Sequence, residues 1–271
     1  MAGTRRLFLF MCRKPQAQRC APSSTGNTIP RWYTRCVCML SSTTEFLSLN
    51  QAARDSYCCI RGHVHFGIHR SISNQCRYIT MLRDPVERVV SSHHYVLHTP
   101  GHPKHNEYVA SGHTLRQSVE CGHFLRDNDQ VRFVAGVDLP FNALTDEHLE
   151  MAKRNVRDWF PVVGLAEAFD ASILLMAERL GWRIPYYVKE NKNPERPRVG
   201  DLDAETREAI AAHNRLDHQL YAFAQDRLAA QIEAGGAEFQ RRLTAFRRRN
   251  SRDVGYLRRA IVRALRSLAL R

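Results

Sequence analysis

The sequence lacks most of the features that declare a function outright. No apolar run approaches the ~20 residues that a bilayer-crossing helix needs. The apolar patch from Leu7 to Phe10, behind two arginines, is too short for a secretory signal. These two points predict a cytoplasmic or peripheral-membrane location. Eight cysteines are scattered, and neither Cys36-x-Cys38 nor Cys58-Cys59 has the spacing of a zinc knuckle or ribbon. Thirteen histidines supply no ligand pairs at metal spacing, so no metal site is expected. The pattern G-x-x-x-x-G-K-[ST] is absent, which disfavours a nucleotide kinase. No internal repeat occurs.

Lysine is missing from Gly236 to Arg271, where eleven arginines face only Glu238 and Asp253. That segment carries a net charge of +9 out of +13 for the chain. Leu257, Ile261, Leu265 and Leu268 form a stripe along it. Residues 236–271 therefore read as an Arg-rich amphipathic tail suited to an anionic membrane surface or an acidic partner. An extra helix with a solvated basic face fits the same pattern. No specific nucleic-acid partner is expected. Residues 1–235 form the main domain in this reading.

The chain is organised around Arg77 to Ser92. Tyr78 to Leu82 is a buried-strand pattern. Asp84 sits at an N-cap position, Pro85 at the first helical position, and Glu87 completes a capping box. Val86, Val89, Val90 and Leu97 follow at helical spacing. Arg83 thus lies where a strand ends and a helix begins. A helix N-terminus offers unpaired N–H groups and a positive dipole end, an anion site to which Arg83 adds a forked donor. Ser91, two turns in, adds a hydroxyl. A structural reading has equal weight here: Arg83 pairs with a nearby carboxylate and Ser91 is an ordinary helix serine.

Elsewhere the periodicity predicts helices over Glu45 to Tyr57, Thr114 to Arg126, Thr145 to Phe160, Phe169 to Leu180 and Asp203 to Ile232. Strands are predicted at Cys58 to Ile60, Pro161 to Leu165 and Tyr186 to Val188, with a buried segment from Asp127 to Val134. A loop from Arg61 to His69 is rich in imidazole, the side chain best matched to accept a proton near neutral pH. His65 and His69 read as surface or packing residues. Arg132 is placed as a substrate contact. The broken loop from His98 to His105 is placed over the acceptor side. Lys189 to Arg198 reads either as a solvated loop or as a lid, with Lys192 or Arg198 on phosphate. Alternating strands and helices give an α/β class with a mainly parallel sheet.

Arg83-Asp-Pro-Val-Glu-Arg-Val-Val-Ser91 resembles the 3′-phosphate motif of sulfotransferases, closest to the family containing heparan sulfate 2-O- and 6-O-sulfotransferases and their bacterial relatives. Ile60-Arg-Gly-His63, Asp127 to Arg132, Val163 to Asp170 and Asn214 to Tyr221 are similar to that family in order. The likeness runs from about Glu45 to Ala230. The resemblance implies a P-loop-like parallel sheet flanked by helices, ending here in the basic helical tail. It implies 3′-phosphoadenosine 5′-phosphosulfate (PAPS) as co-substrate and a hydroxyl acceptor, most naturally on a carbohydrate. It assigns the 3′-phosphate to Arg83 and Ser91 and the catalytic base to His63. Related enzymes carry His-Gly-His, whereas Arg61 stands in the first place here.

The family also has a loop after its first strand, of the type P-K-T-A-G-T-T, that wraps the 5′-phosphosulfate. As written, residues 11–20 contain no such loop: Lys14 precedes a proline, and no glycine falls between Leu7 and Thr25. Read one base earlier, the codons of Phe10 to Cys20 permit H-V-P-K-T-A-G-T-T-L. This predicts a frameshift or a sequencing error upstream of about Glu45, which makes residues 1–44 the doubtful part of the domain. Two readings follow. Either the chain is a sulfotransferase impaired by the missing loop, or it is a non-catalytic protein on the same fold that binds polyanions or membrane surfaces.

Overall fold

The computed structural model describes residues 42–57, 59–182 and 197–250 in full, and the backbone of 9–13 and 37–40. Its five-stranded sheet has the order β2–β3–β1–β4–β5. The strands are β1 (Leu9–Arg13), β2 (Val37–Leu40), β3 (Cys59–Gly62), β4 (Cys76–Leu82) and β5 (Val162–Leu165). β2 is parallel to β3, and β4 is parallel to β5. β1 lies between the two pairs and is antiparallel to both neighbours, with Leu9 opposite Gly62 and Arg13 opposite Cys76. Four strands therefore point one way, and the strand between them points the other.

The helices are α1 (Thr43–Ser48), α2 (Gln51–Ser56), α3 (Pro85–Leu97), α4 (His105–Ser111), α5 (Leu115–Cys121), α6 (Asp129–Ala135), α7 (Asp146–Trp159), α8 (Phe169–Leu180), α9 (Ala204–His213) and α10 (Arg215–Ala234). Residues 236–250 are helical as well. The fold is thus α/β, mostly helical, with helices flanking the sheet; α8 and α10 both pack on β5. The four buried residues of β5 (Val162, Val163, Gly164, Leu165) show why: a strand covered on both faces has no polar alternation. The main core joins Phe46, Ile60, Tyr78, Leu82, Val131, Phe160, Leu174 and Leu220. Phe239, Leu243 and Phe246 belong to the same core, so part of the basic segment is load sharing in the fold through residue 250. A second cluster, Val89, Val90, Val119, Leu125 and Ile210, ties α3 to α5 and α9.

Three elements differ from their sequence reading. The helix expected over Glu45 to Tyr57 is two short ones, because Asn50 starts a new N-cap by accepting from the Ala53 N–H. The helix expected over Thr114 to Arg126 ends at Cys121, where Gly122 caps it at φ +65°, while the buried segment from Asp127 is a loop leading into α6. The helix expected over Asp203 to Ile232 breaks at Asn214, whose side-chain amide donates to the Ile210 carbonyl. The strand expected at Tyr186 to Val188, and Lys192 with it, lie outside the described residues. Among the described residues, no helix is long and apolar enough to cross a membrane, and no group of three or more His, Cys, Asp or Glu is placed to hold a metal.

Candidate functional site

β4 ends at Leu82 and α3 begins at Pro85, so Arg83 and Asp84 form the turn between them. Asp84 caps α3 by accepting from the Glu87 N–H at 2.9 Å. The capping box does not close. The Glu87 carboxylate turns instead to the Arg83 guanidinium at 2.8 Å. The Asp84 N–H, left over at the cap, donates to Glu167 Oε1 at 3.2 Å. Glu167 stands in the turn after β5, and its second oxygen accepts from the Tyr221 hydroxyl at 2.8 Å. Burial, with Glu167 beside it, raises the Tyr221 phenol pKa and keeps it protonated.

Arg83 is half-buried and paired, as the structural reading of the sequence allowed, and it also stands at the carboxyl end of the strand. Ser91 is half-buried on α3, about 9 Å along the axis from Pro85. His63 follows β3 directly, half-buried, with its ring 6.3 Å from that of Phe133. β3 and β4 are separated only by β1, so their carboxyl ends are about 10 Å apart. The sheet therefore brings His63 and the Arg83 turn to one pole of the molecule, where ligands of parallel sheets bind. Arg13, the carboxyl end of β1, is at the opposite pole, level with Cys76.

The other imidazoles of the loop are structural. His65 stacks on Phe133 at 4.7 Å, and burial lowers its pKa. His69 lies 4.0 Å from the Trp159 ring and shares a 2.8 Å hydrogen bond with the Tyr78 hydroxyl. Arg132 is not a substrate contact. It is fully buried, paired with Asp127 at 2.5 Å and donating to the carbonyls of Asp127, Leu139 and Pro140. A buried guanidinium so fully satisfied holds a loop in place. The His98 to His105 loop sits at the far end of α3 from Arg83. His98 Nδ1 bonds the His94 carbonyl and His105 Nδ1 the Val96 carbonyl, each at 2.8 Å. Arg198 is exposed beside the short turn Val199–Asp201, which packs on α3, the helix that carries Ser91.

Behind the Arg83 turn is a buried polar cluster that the sequence did not disclose. Asn128, at φ +44°, accepts at Oδ1 from the N–H groups of Leu216 and Asp217 at the start of α10. Asp217 in return accepts from the Gln130 and Val131 N–H groups at the start of α6. Each helix is capped by a side chain from the other, which satisfies donors that burial would otherwise strand. Burial pushes the Asp217 carboxyl up to about 6, although Arg88, 3.9 Å away, pulls it down. Arg88 also pairs with Asp129 at 2.9 Å. The signal for this cluster was the order Asp127-Asn-Asp-Gln, whose polarity is at odds with a buried segment.

A family model described as galactose-3-O-sulfotransferase matches residues 41–261. The match leaves out β1, β2 and the stretch between them. Heparan-sulfate 6-O-sulfotransferase 1-B of Danio rerio is 33% identical over 179 residues, 55% of this chain and 43% of that protein. Galactose-3-O-sulfotransferase 2 of Homo sapiens is 29% identical over 181 residues, 64% of this chain and 45% of that protein. Galactosylceramide sulfotransferase of Mus musculus is 28% identical over 204 residues, 68% of this chain and 42% of that protein. The chain spans less than half the length of these relatives. With most of its residues covered by one family model, and with a strand-to-helix arginine turn at the carboxyl end of a strand in an α/β sheet, the chain belongs to the galactose-3-O-sulfotransferase family.

Proposed function

We propose that this chain carries the fold and part of the machinery for moving a sulfuryl group from PAPS to a hydroxyl, most naturally that of a carbohydrate. The observation that carries this reading is the Arg83 turn, a guanidinium at a strand's carboxyl end immediately before a capped helix. The names of the relatives, which act on heparan sulfate, galactose or galactosylceramide, support a carbohydrate acceptor. Arg83 and Ser91 bind the 3′-phosphate and set the register of the nucleotide. His63 takes the acceptor's proton as the acceptor oxygen bonds to sulfur. The bond from sulfur to the bridging phosphate oxygen breaks, and 3′,5′-adenosine bisphosphate leaves. As in phosphoryl transfer, positioning and charge stabilisation supply most of the catalysis.

The 5′-phosphosulfate needs donors of its own, and here the chain as written falls short. β1 runs against its neighbours, so the chain leaves it at the pole opposite Arg83. A phosphosulfate loop would have to leave at the same pole as Arg83. The family match beginning at residue 41 and the shifted codons of residues 11–20 agree with a break in reading frame before Glu45. Transfer by the chain as written is therefore impaired, and residues 11–20 replaced by H-V-P-K-T-A-G-T-T-L restore it. Calorimetric titration of 3′,5′-adenosine bisphosphate tests the site. Binding that disappears in Arg83→Ala, and tightens with the restored loop, is the expected result; heat that is indifferent to Arg83 would sink the reading.

A non-catalytic polyanion or membrane-surface binder is the second reading, favoured by the missing loop and the arginine-rich end. Removing residues 251–271 discriminates between the two, since it spares Phe239, Leu243 and Phe246. Nucleotide binding survives that deletion in an enzyme, whereas binding to vesicles of anionic lipid is lost in a surface binder.

A further inference from the structure

Gln130 is 1% exposed, and its side chain reaches both polar groups of Arg83. The Arg83 N–H donates to Gln130 Oε1 at 2.9 Å, and Gln130 Nε2 donates to the Arg83 carbonyl at 3.0 Å. Only a primary amide carries a donor and an acceptor side by side for this; a carboxylate only accepts. The pattern is that of a missing strand. The Leu82 carbonyl accepts from the Ala166 N–H on the β5 side, at 2.8 Å. By strand alternation Arg83 faces the β1 side, where the ladder has already stopped. Gln130 supplies there the two hydrogen bonds that a neighbouring backbone would have made.

Gln130 is itself fixed from behind. Its N–H donates to the buried Asp217 at 3.1 Å, and the Val131 N–H donates to the other Asp217 oxygen at 2.8 Å. The Arg83 peptide is thus tied through α6 to α10. An arginine side chain is long and flexible, so the position of its peptide decides where its guanidinium can reach. Small misplacements of a binding group are costly at such sites.

We propose that Gln130 is a positioning residue for the 3′-phosphate site, aiming Arg83 without touching the ligand. This rests on the nucleotide reading above. The test uses the full chain and two probes, 3′,5′-adenosine bisphosphate and adenosine 5′-phosphate, which differ by the 3′-phosphate. Gln130→Met removes both hydrogen bonds at similar volume. It is expected to weaken the bisphosphate about tenfold and leave the monophosphate unchanged, so that the preference for the bisphosphate falls as it does in Arg83→Ala. Gln130→Glu, close in shape but unable to donate to the Arg83 carbonyl, gives the same pattern and serves where the Met variant fails to fold. Equal weakening of both probes, or of neither, would overturn the proposal and leave Gln130 a structural amide. A wild-type chain that binds both probes equally would overturn the 3′-phosphate reading itself, and the proposal with it.

Discussion

Arg83 is the residue on which the proposed chemistry turns, and in the structure its guanidinium is already engaged by Glu87. A pair of this kind, spaced i,i+4 and partly exposed, contributes about 0.5 kcal/mol. An incoming phosphate has to share Arg83 with that carboxylate and tolerate its charge. Glu87→Gln is therefore expected to tighten 3′,5′-adenosine bisphosphate a few-fold at almost no loss of stability, read by the same titration and a thermal melt; weaker binding would mean that Glu87 orients the arginine instead. Asp217 makes a prediction of another kind. Its folded pKa, about 6, is above the 3.8 of an ordinary aspartate. The folded state thus favours the protonated form, and stability is lost as pH rises from about 4 through about 6. Two pKa units correspond to about 3 kcal/mol. Asp217→Asn is expected to abolish this difference, so its stability relative to wild type improves between pH 4 and pH 7 in urea titrations. Arg83 and Ser91 were legible because a motif nine residues long lies on one strand–helix turn. Gln130, Asp217 and Glu167 were not, because their partners are 47 to 87 residues away and no local period encodes such contacts.

Glycine ends several of the helices, and the sequence reading placed one of those ends correctly, at Leu180, while running past Gly122. The helix expected over Phe169 to Leu180 ends there, and Gly181 caps it at φ +65°. Gly136 ends α6 at φ +82°, a region that L side chains rarely adopt. A Cβ there would also fall 2.4 Å from the Phe66 carbonyl oxygen. Next to it the Phe66 N–H donates to the Phe133 carbonyl at 2.8 Å, which holds the loop after His63 onto α6. Gly136→Ala is expected to cost 2 kcal/mol or more and to shift the His63 imidazole resonances, measured by denaturation and by NMR. The break at Asn214 escaped the periodicity because the apolar stripe continues across it; what ends α9 is an asparagine side chain bonding its own helix, which leaves the next N–H groups to Asn128.

Across the whole molecule, alternation of strands and helices predicted the class and the common direction of β3, β4 and β5, although β2 was not read from the sequence. It gave no sign that β1 would run backwards, since a strand's periodicity carries no direction. The same scale governs how much of the arginine-rich end is dispensable. Deleting residues 251–271 keeps Phe239, Leu243 and Phe246 in the core, so a cooperative melt is expected to survive. Deleting residues 236–271 removes Phe239, Leu243 and Phe246 from the core. At about 3 kcal/mol or more for each such side chain, the loss approaches the 5–15 kcal/mol net stability of a typical domain, and no cooperative melt is expected.

That core has a further consequence, for the order of synthesis. Phe46 and Phe246, near the two limits of the described chain, belong to one apolar cluster. A ribosome releases the first long before the second. Until the helix of residues 236–250 emerges, the face that it covers is open to water and to other nascent chains, which is the condition under which folding intermediates aggregate. The protein is therefore expected to complete its core only after Phe246 has left the ribosome and to depend on chaperones during the interval.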